Sequence, residues 1–147
     1  MINRMKNTGP GYVDSSLDLV KHVKGAKYVV DGIPSLVYAR RSPEEKQFLG
    51  VWASHLSEVD DVYLVIEETE TAPGAVLCIP AAFFEEHLHE FSMDSEGNRL
   101  VFNLLSRRDL WFIDKPNVCV SEYVLPAMND HDIMVQAAYL KNLLSTP

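Results

Sequence analysis

A chain of 147 residues with 47% hydrophobic and 23% charged side chains has the composition of one folded globular unit, not of a disordered or fibrous chain. Its 21 acidic and 13 basic residues leave a net charge of −8, which disfavours binding to a nucleic-acid backbone and suits a basic partner. No window approaches about 18 consecutive apolar residues, so a membrane-spanning helix is excluded.

The N-terminal residues Met1 to Gly11 are polar and lack the apolar core of a signal peptide, so a cytoplasmic protein is expected. Residues 1–12 contain Gly9-Pro10-Gly11 without periodicity and predict a flexible lead-in, with a single domain over 13–147. A first helix is predicted from Asp14 or Ser15 through Leu17, Val20 and Val23 to a C-cap at Gly25. Tyr28-Val29-Val30 and Leu36-Val37-Tyr38 predict two short strands around the turn Asp31-Gly32-Ile33-Pro34, with Pro34 outside the hydrogen-bonded ladder.

Ser42 and Glu45 have capping-box spacing and Pro43 suits a first helical position, so a helix is predicted over 43–57. Its apolar face would be Phe48, Leu49, Trp52 and Leu56. The strongest strand signals follow. Val62 to Ile66 and Ala75 to Ile79 are short, apolar runs rich in β-branched residues, joined by an acidic turn that closes on Pro73-Gly74. Pro80 then opens a helix over 80–91.

A turn over Met93 to Asn98 leads into strands at Leu100 to Leu104, Leu110 to Ile113 and Val118 to Val120, whose close spacing predicts an antiparallel meander. A terminal helix over 130–144 would present Ile133, Ala137, Leu140 and Leu144 on one side. The fold predicted from these elements is α+β: one domain with a mostly antiparallel sheet of about six or seven strands packed against three or four helices.

Several groups of side chains bear chemistry. Asp60, Asp61, Glu67, Glu68 and Glu70 bracket the strand at 62–66, and Asp61, Glu67 and Glu68 are candidate ligands for a divalent metal in a nuclease-like hydrolase. The lysine that such a nuclease would place two residues beyond an acid is missing, since Thr69 and Glu70 stand there. His87 and His89, two positions apart, would point about 200° away from each other on a helix and could share zinc only if the chain were extended there. His22, His55 and His131 are candidate third ligands, each in a different segment.

Cys78 and Cys119 each lie inside an apolar run and read as small buried residues in a reducing compartment. Arg40-Arg41 and Arg107-Arg108 are tight basic pairs at strand ends that would make an anion site if the fold brought them together. The consecutive aromatics Phe83-Phe84 and Trp111-Phe112 require either two covered sheet faces or an exposed aromatic patch.

No set of groups for bond-making chemistry is complete. The expected function is therefore macromolecular interaction, of the accessory, immunity or inhibitor type, with no cofactor. Glu67, Glu68, Glu70, Glu85 and Glu86 would form the contact surface for a basic protein partner. A metal-dependent hydrolase and a homodimer joined through its aromatic face are the alternatives.

Overall fold

The computed structural model describes residues 26–125 apart from Asp31, Pro43, Glu45 and Asp109. The flexible lead-in over 1–12, the first helix and the terminal helix expected above lie outside the described residues. In chain order the strands are β1 (Ala26–Val30), β2 (Ile33–Arg40), β3 (Lys46–Trp52), β4 (Asp61–Ile66), β5 (Ala75–Pro80), β6 (Ser92–Met93), β7 (Arg99–Arg107), β8 (Leu110–Ile113) and β9 (Val118–Cys119). One α-helix, α1 (Ala81–Glu86), and 3-10 turns at Ala53–Glu58, Leu88–Glu90 and Ser121–Tyr123 complete the described elements. No helix among the described residues is long and apolar enough to cross a membrane.

This corrects the expected α+β architecture. The strands form two sheets, one of four strands in the order β1-β2-β4-β5 and one of five built on β3-β7-β8-β9 with β6 beside β7. The helix predicted over 43–57 is instead β3 followed by a 3-10 turn, and the helix predicted over 80–91 is only six residues of α-helix with a 3-10 turn beyond it.

The first error has a local cause. Along β3 the inward positions are Gln47, Leu49 and Val51, all buried, so the period is two. A buried glutamine among them hides the alternation, while Phe48, Leu49, Trp52 and Leu56 happen to keep helical spacing. Ser42 also behaves differently from a helix cap, because its Oγ accepts the Glu44 N–H at 3.2 Å in a local turn.

The strand predictions at 28–30, 36–38, 62–66, 75–79, 100–104 and 110–113 fall within β1, β2, β4, β5, β7 and β8. β7, β8 and β9 form the antiparallel meander. Pro34 differs from expectation: it lies inside β2 opposite Val29, and its carbonyl accepts the Asp60 N–H at 2.9 Å. β2 and β4 are parallel, and the chain between them passes through β3 in the other sheet.

The two sheets share one apolar core. Leu36, Leu64, Ile66, Leu77 and Ile79 from the first sheet meet Leu49, Leu100, Leu104 and Ile113 from the second, all essentially inaccessible to water. Phe83 and Phe84 of α1 both enter this core despite being consecutive, with Phe84 beside Phe91 and Phe102 at ring separations of 5.5 and 6.1 Å. The opposite face of the first sheet is buried as well, through Tyr28, Val37, Val65 and Val76. β4 is therefore apolar on both faces, which is why its sequence reads as an unbroken run and not an alternation.

Free strand edges are liabilities, and that of β3 is occupied by side chains from β2. The Arg40 Nε donates to the Phe48 carbonyl at 3.0 Å, and the Trp52 N–H donates to the Tyr38 hydroxyl at the same distance. In the β4–β5 connection, a Cβ on Gly74 would come within 2.7 Å of both the Ile66 carbonyl oxygen and the Glu68 nitrogen. Only glycine fits that approach.

The turn between β6 and β7 is held by one carboxylate. Asp94 Oδ1 accepts the N–H groups of Asn98 at 2.8 Å and Arg99 at 3.2 Å, and these bonds, Asn98 first, hold its carboxyl below the ordinary 3.8. A folded pKa below the unfolded one means that Asp94 stabilises the fold above pH 3.8 and loses that effect as pH falls through the folded value. The stability gap between the parent and Asp94→Ala, followed by urea unfolding, is expected to be constant near neutrality and to close in acid. A gap independent of pH would show that the carboxylate charge does not hold the turn.

Candidate functional site

The five carboxylates expected to make one surface are divided by the fold. β4 is six residues long, which at about 3.3 Å per residue separates its ends by roughly 20 Å. Glu67, Glu68 and Glu70 follow its C-terminal end. At the other end Asp61 pairs with Pro80, and the Ala81 N–H that starts α1 donates to the Asp60 carbonyl at 2.9 Å. Glu85 and Glu86 therefore sit at that far end, remote from the acidic turn.

Glu67 is fully buried and accepts a hydrogen bond from Arg41 Nη1 at 3.0 Å. A carboxylate so placed belongs to the interior and cannot meet a partner. Glu68 is half-buried and Glu70 exposed. Because Asp61 and Glu67 lie at opposite ends of β4, the trio Asp61, Glu67 and Glu68 cannot close around one ion. Among the described residues no group of three histidine, cysteine, aspartate or glutamate side chains is spaced to hold a metal.

The histidines also stay apart. His87 Nδ1 lies 3.0 Å from Glu90 Oε2, with its ring 4.7 Å from that of Phe83. His55 lies 3.4 Å from Glu58, a carboxylate that also takes the Lys27 ammonium at 2.7 Å. His22 and His131 fall outside the described residues. Cys78 is half-buried beside Tyr63 and Asp61, and chiefly burial pushes its thiol up to about 11, so it is protonated and unreactive at neutral pH. Cys119 is exposed, contrary to its apolar sequence neighbours, with Sγ 3.5 Å from Ser121 Oγ.

What the tertiary structure does assemble is an acidic corner around α1. Glu85 and Glu86 are exposed on the helix, and the 3-10 turn at Ser121–Tyr123 sets Tyr123 against Phe83, so that the exposed Glu122 and Glu86 both act on the Tyr123 phenol. That turn is positioned by the Val120 N–H, which donates to the Trp111 carbonyl at 2.8 Å, and by Trp111 N–H donating to Ser121 Oγ at 2.8 Å. The ring of Tyr123 packs 5.9 Å from that of Phe83. Its phenol is held above the usual tyrosine range by burial and then by the charges of Glu122 and Glu86.

Leu88, 39% exposed, adds an apolar contact beyond the helix. Among the described residues none of Glu85, Glu86 and Glu122 forms an ion pair. Glu85 and Glu86 are legible as candidates in the sequence, whereas Glu122 and Tyr123 are not, since nothing local to residues 121–123 announces that Tyr123 reaches α1.

The two arginine pairs do not act together. Arg40 and Arg41 are used internally, on the Phe48 carbonyl and on Glu67, whereas Arg107 and Arg108 sit at the β7–β8 hairpin. The architecture is that of a two-sheet β protein with an acidic surface corner and no assembled catalytic group among the described residues. Comparisons of the chain with protein-family models, with curated proteins and with solved structures find no match.

Proposed function

We propose that this chain works by docking, through the acidic corner at α1, onto a basic surface of another protein, as accessory, immunity and inhibitor proteins do. The observation that carries this reading is the convergence of Glu86 and Glu122 on the half-buried Tyr123, with Glu85 exposed on the same helix and Leu88 exposed just beyond it. Clustered like charges cost the free protein repulsion, which a cationic partner relieves on binding. Such patches steer association and fix its orientation, while the aromatic and aliphatic groups beside them supply area removed from water.

The acidic-turn residues contribute less in this reading than the sequence implied. Glu67 is interior, and Glu68 and Glu70 stand at the other end of β4. A metal-dependent hydrolase gains no support from a candidate ligand set split across that strand.

A lysine-rich peptide titrated into the isotope-labelled protein tests the site. Amide shifts are expected at residues 81–90 and 121–123, weakening steeply with added salt. The triple variant Glu85→Lys, Glu86→Lys, Glu122→Lys is expected to lose at least about tenfold in affinity, the effect of removing charge complementarity at a docking patch. Shifts centred on Glu68 and Glu70, or a triple variant that binds like the parent, would refute the assignment.

A further inference from the structure

The outer face of the second sheet carries a different kind of site. Alternation along β7 buries Leu104 and Ser106 and sends Leu105 and Arg107 outward. Strand pairing places Phe112 beside Leu105 and Leu110 beside Arg107, on the same face. Together with Arg108 and Asn117 these side chains line a cleft of about 440 Å³, within the range of roughly 300–1,000 Å³ typical of small-molecule sites.

Two features of this cleft are unusual for a chain of net charge −8. Arg107 and Arg108 are exposed, and among the described residues neither meets a carboxylate. Arg108 also has φ +52, a left-handed backbone that favours glycine or asparagine over an arginine. Backbone strain of this kind concentrates at ligand sites, and here it falls on an arginine that lines a cavity.

We propose that the cleft at the β7–β8 hairpin binds a small organic anion, a carboxylate or phosphate ester on a short apolar body. The two guanidinium forks match the oxygens of such a head group, and Asn117 supplies an amide that donates or accepts. Leu105, Phe112 and Leu110, the last 44% exposed, form the wall against which the apolar body loses water. The site shares no residue with the acidic corner and does not depend on the docking function.

The test is calorimetric and NMR titration of the whole chain with phenyl phosphate, benzoate, inorganic phosphate and a glutamate-rich peptide. Phenyl phosphate and benzoate are expected to bind, with shifts confined to residues 105–112 and 117, and inorganic phosphate to bind more weakly. Arg107→Gln and Arg108→Gln are each expected to reduce the affinity by about tenfold, since charged hydrogen bonds to an anion carry most of its binding.

Arg108→Gly separates binding from folding. Glycine accepts the left-handed backbone, so this variant is expected to melt no lower than the parent while losing the ligand. Four results would overturn the proposal: no binding of phenyl phosphate or benzoate, full affinity in the arginine variants, inorganic phosphate binding as tightly as phenyl phosphate, or tighter binding of the glutamate-rich peptide.

Discussion

Phe84→Ala is expected to destabilise the protein by about 3–5 kcal/mol, the cost of deleting a fully enclosed aromatic ring and leaving a cavity. Phe84 is 0% exposed and lies where α1 enters the core shared by the two sheets, in contact distance of the rings of Phe83, Phe91 and Phe102. Those rings belong to three separate stretches of chain, so the cavity cannot be closed by moving one side chain. Urea unfolding reads the loss as a lower midpoint with an unchanged slope. A loss below about 1 kcal/mol would mean that the core collapses around the gap.

Phe83→Ala provides the comparison. Phe83 is 8% exposed and packs against His87 and Tyr123, so its removal should cost less stability while loosening the acidic corner. Weaker binding of the lysine-rich peptide by this variant, with Glu85 and Glu86 still in place, would show that Tyr123 is held for docking through Phe83.

Arg41→Ala is expected to cost about 2–3 kcal/mol, because it withdraws the guanidinium 3.0 Å from a carboxylate that has no access to water. Breaking a wholly buried ion pair typically costs about 3–5 kcal/mol, and the Arg41 side chain, 40% exposed, is discounted from that range. Glu67→Gln removes the charge while keeping an oxygen that can accept from Arg41, and should cost less than Arg41→Ala. The reverse order, measured by the same unfolding experiment, would show that Arg41 stabilises the fold through its alkyl chain and not through the ion pair.

The same pair explains why the acidic turn looked functional in sequence. Charge runs beside turns are usually hydrated surface, and Glu68 and Glu70 fit that pattern, but Glu67 is drawn inside at the end of β4. Its partner stands 26 residues earlier in the chain, just past the end of β2, which runs parallel to β4. The Glu67 N–H also donates to the Arg40 carbonyl at 2.9 Å, so the strand pairing that creates β2–β4 is what delivers Arg41 to the carboxylate. No pattern within residues 60–70 contains that information.

The legible part of the fold is the part governed by local burial. β4 and β5 announce themselves because both faces of each are packed against apolar neighbours, and a short β-branched run bounded by turns has few other uses. β7 shows its alternation openly, with Leu100, Phe102 and Leu104 inward and Val101, Asn103 and Leu105 outward. β3 hides its period because Gln47 occupies an inward position, 3% exposed, where alternation calls for an apolar side chain. Its Nε2 reaches the Glu44 carbonyl at 3.4 Å, so the cost of burying an amide is offset by a contact that only the folded chain offers.

The candidate sites divide the same way. Which side chains carry charge, that acids outnumber bases, and that residues 62–66 and 75–79 are buried strands all follow from local sequence, because composition and side-chain period act over a few residues. Folding in three dimensions settles that Glu122 joins Glu86, that Glu67 pairs with Arg41, that Asp61 and Glu67 stand apart, and that Arg107 and Arg108 face a cleft. The first two join segments remote in the chain and are set by which strand edges pair and in which register, and a stretch of sequence read alone carries no record of the strand it will lie beside.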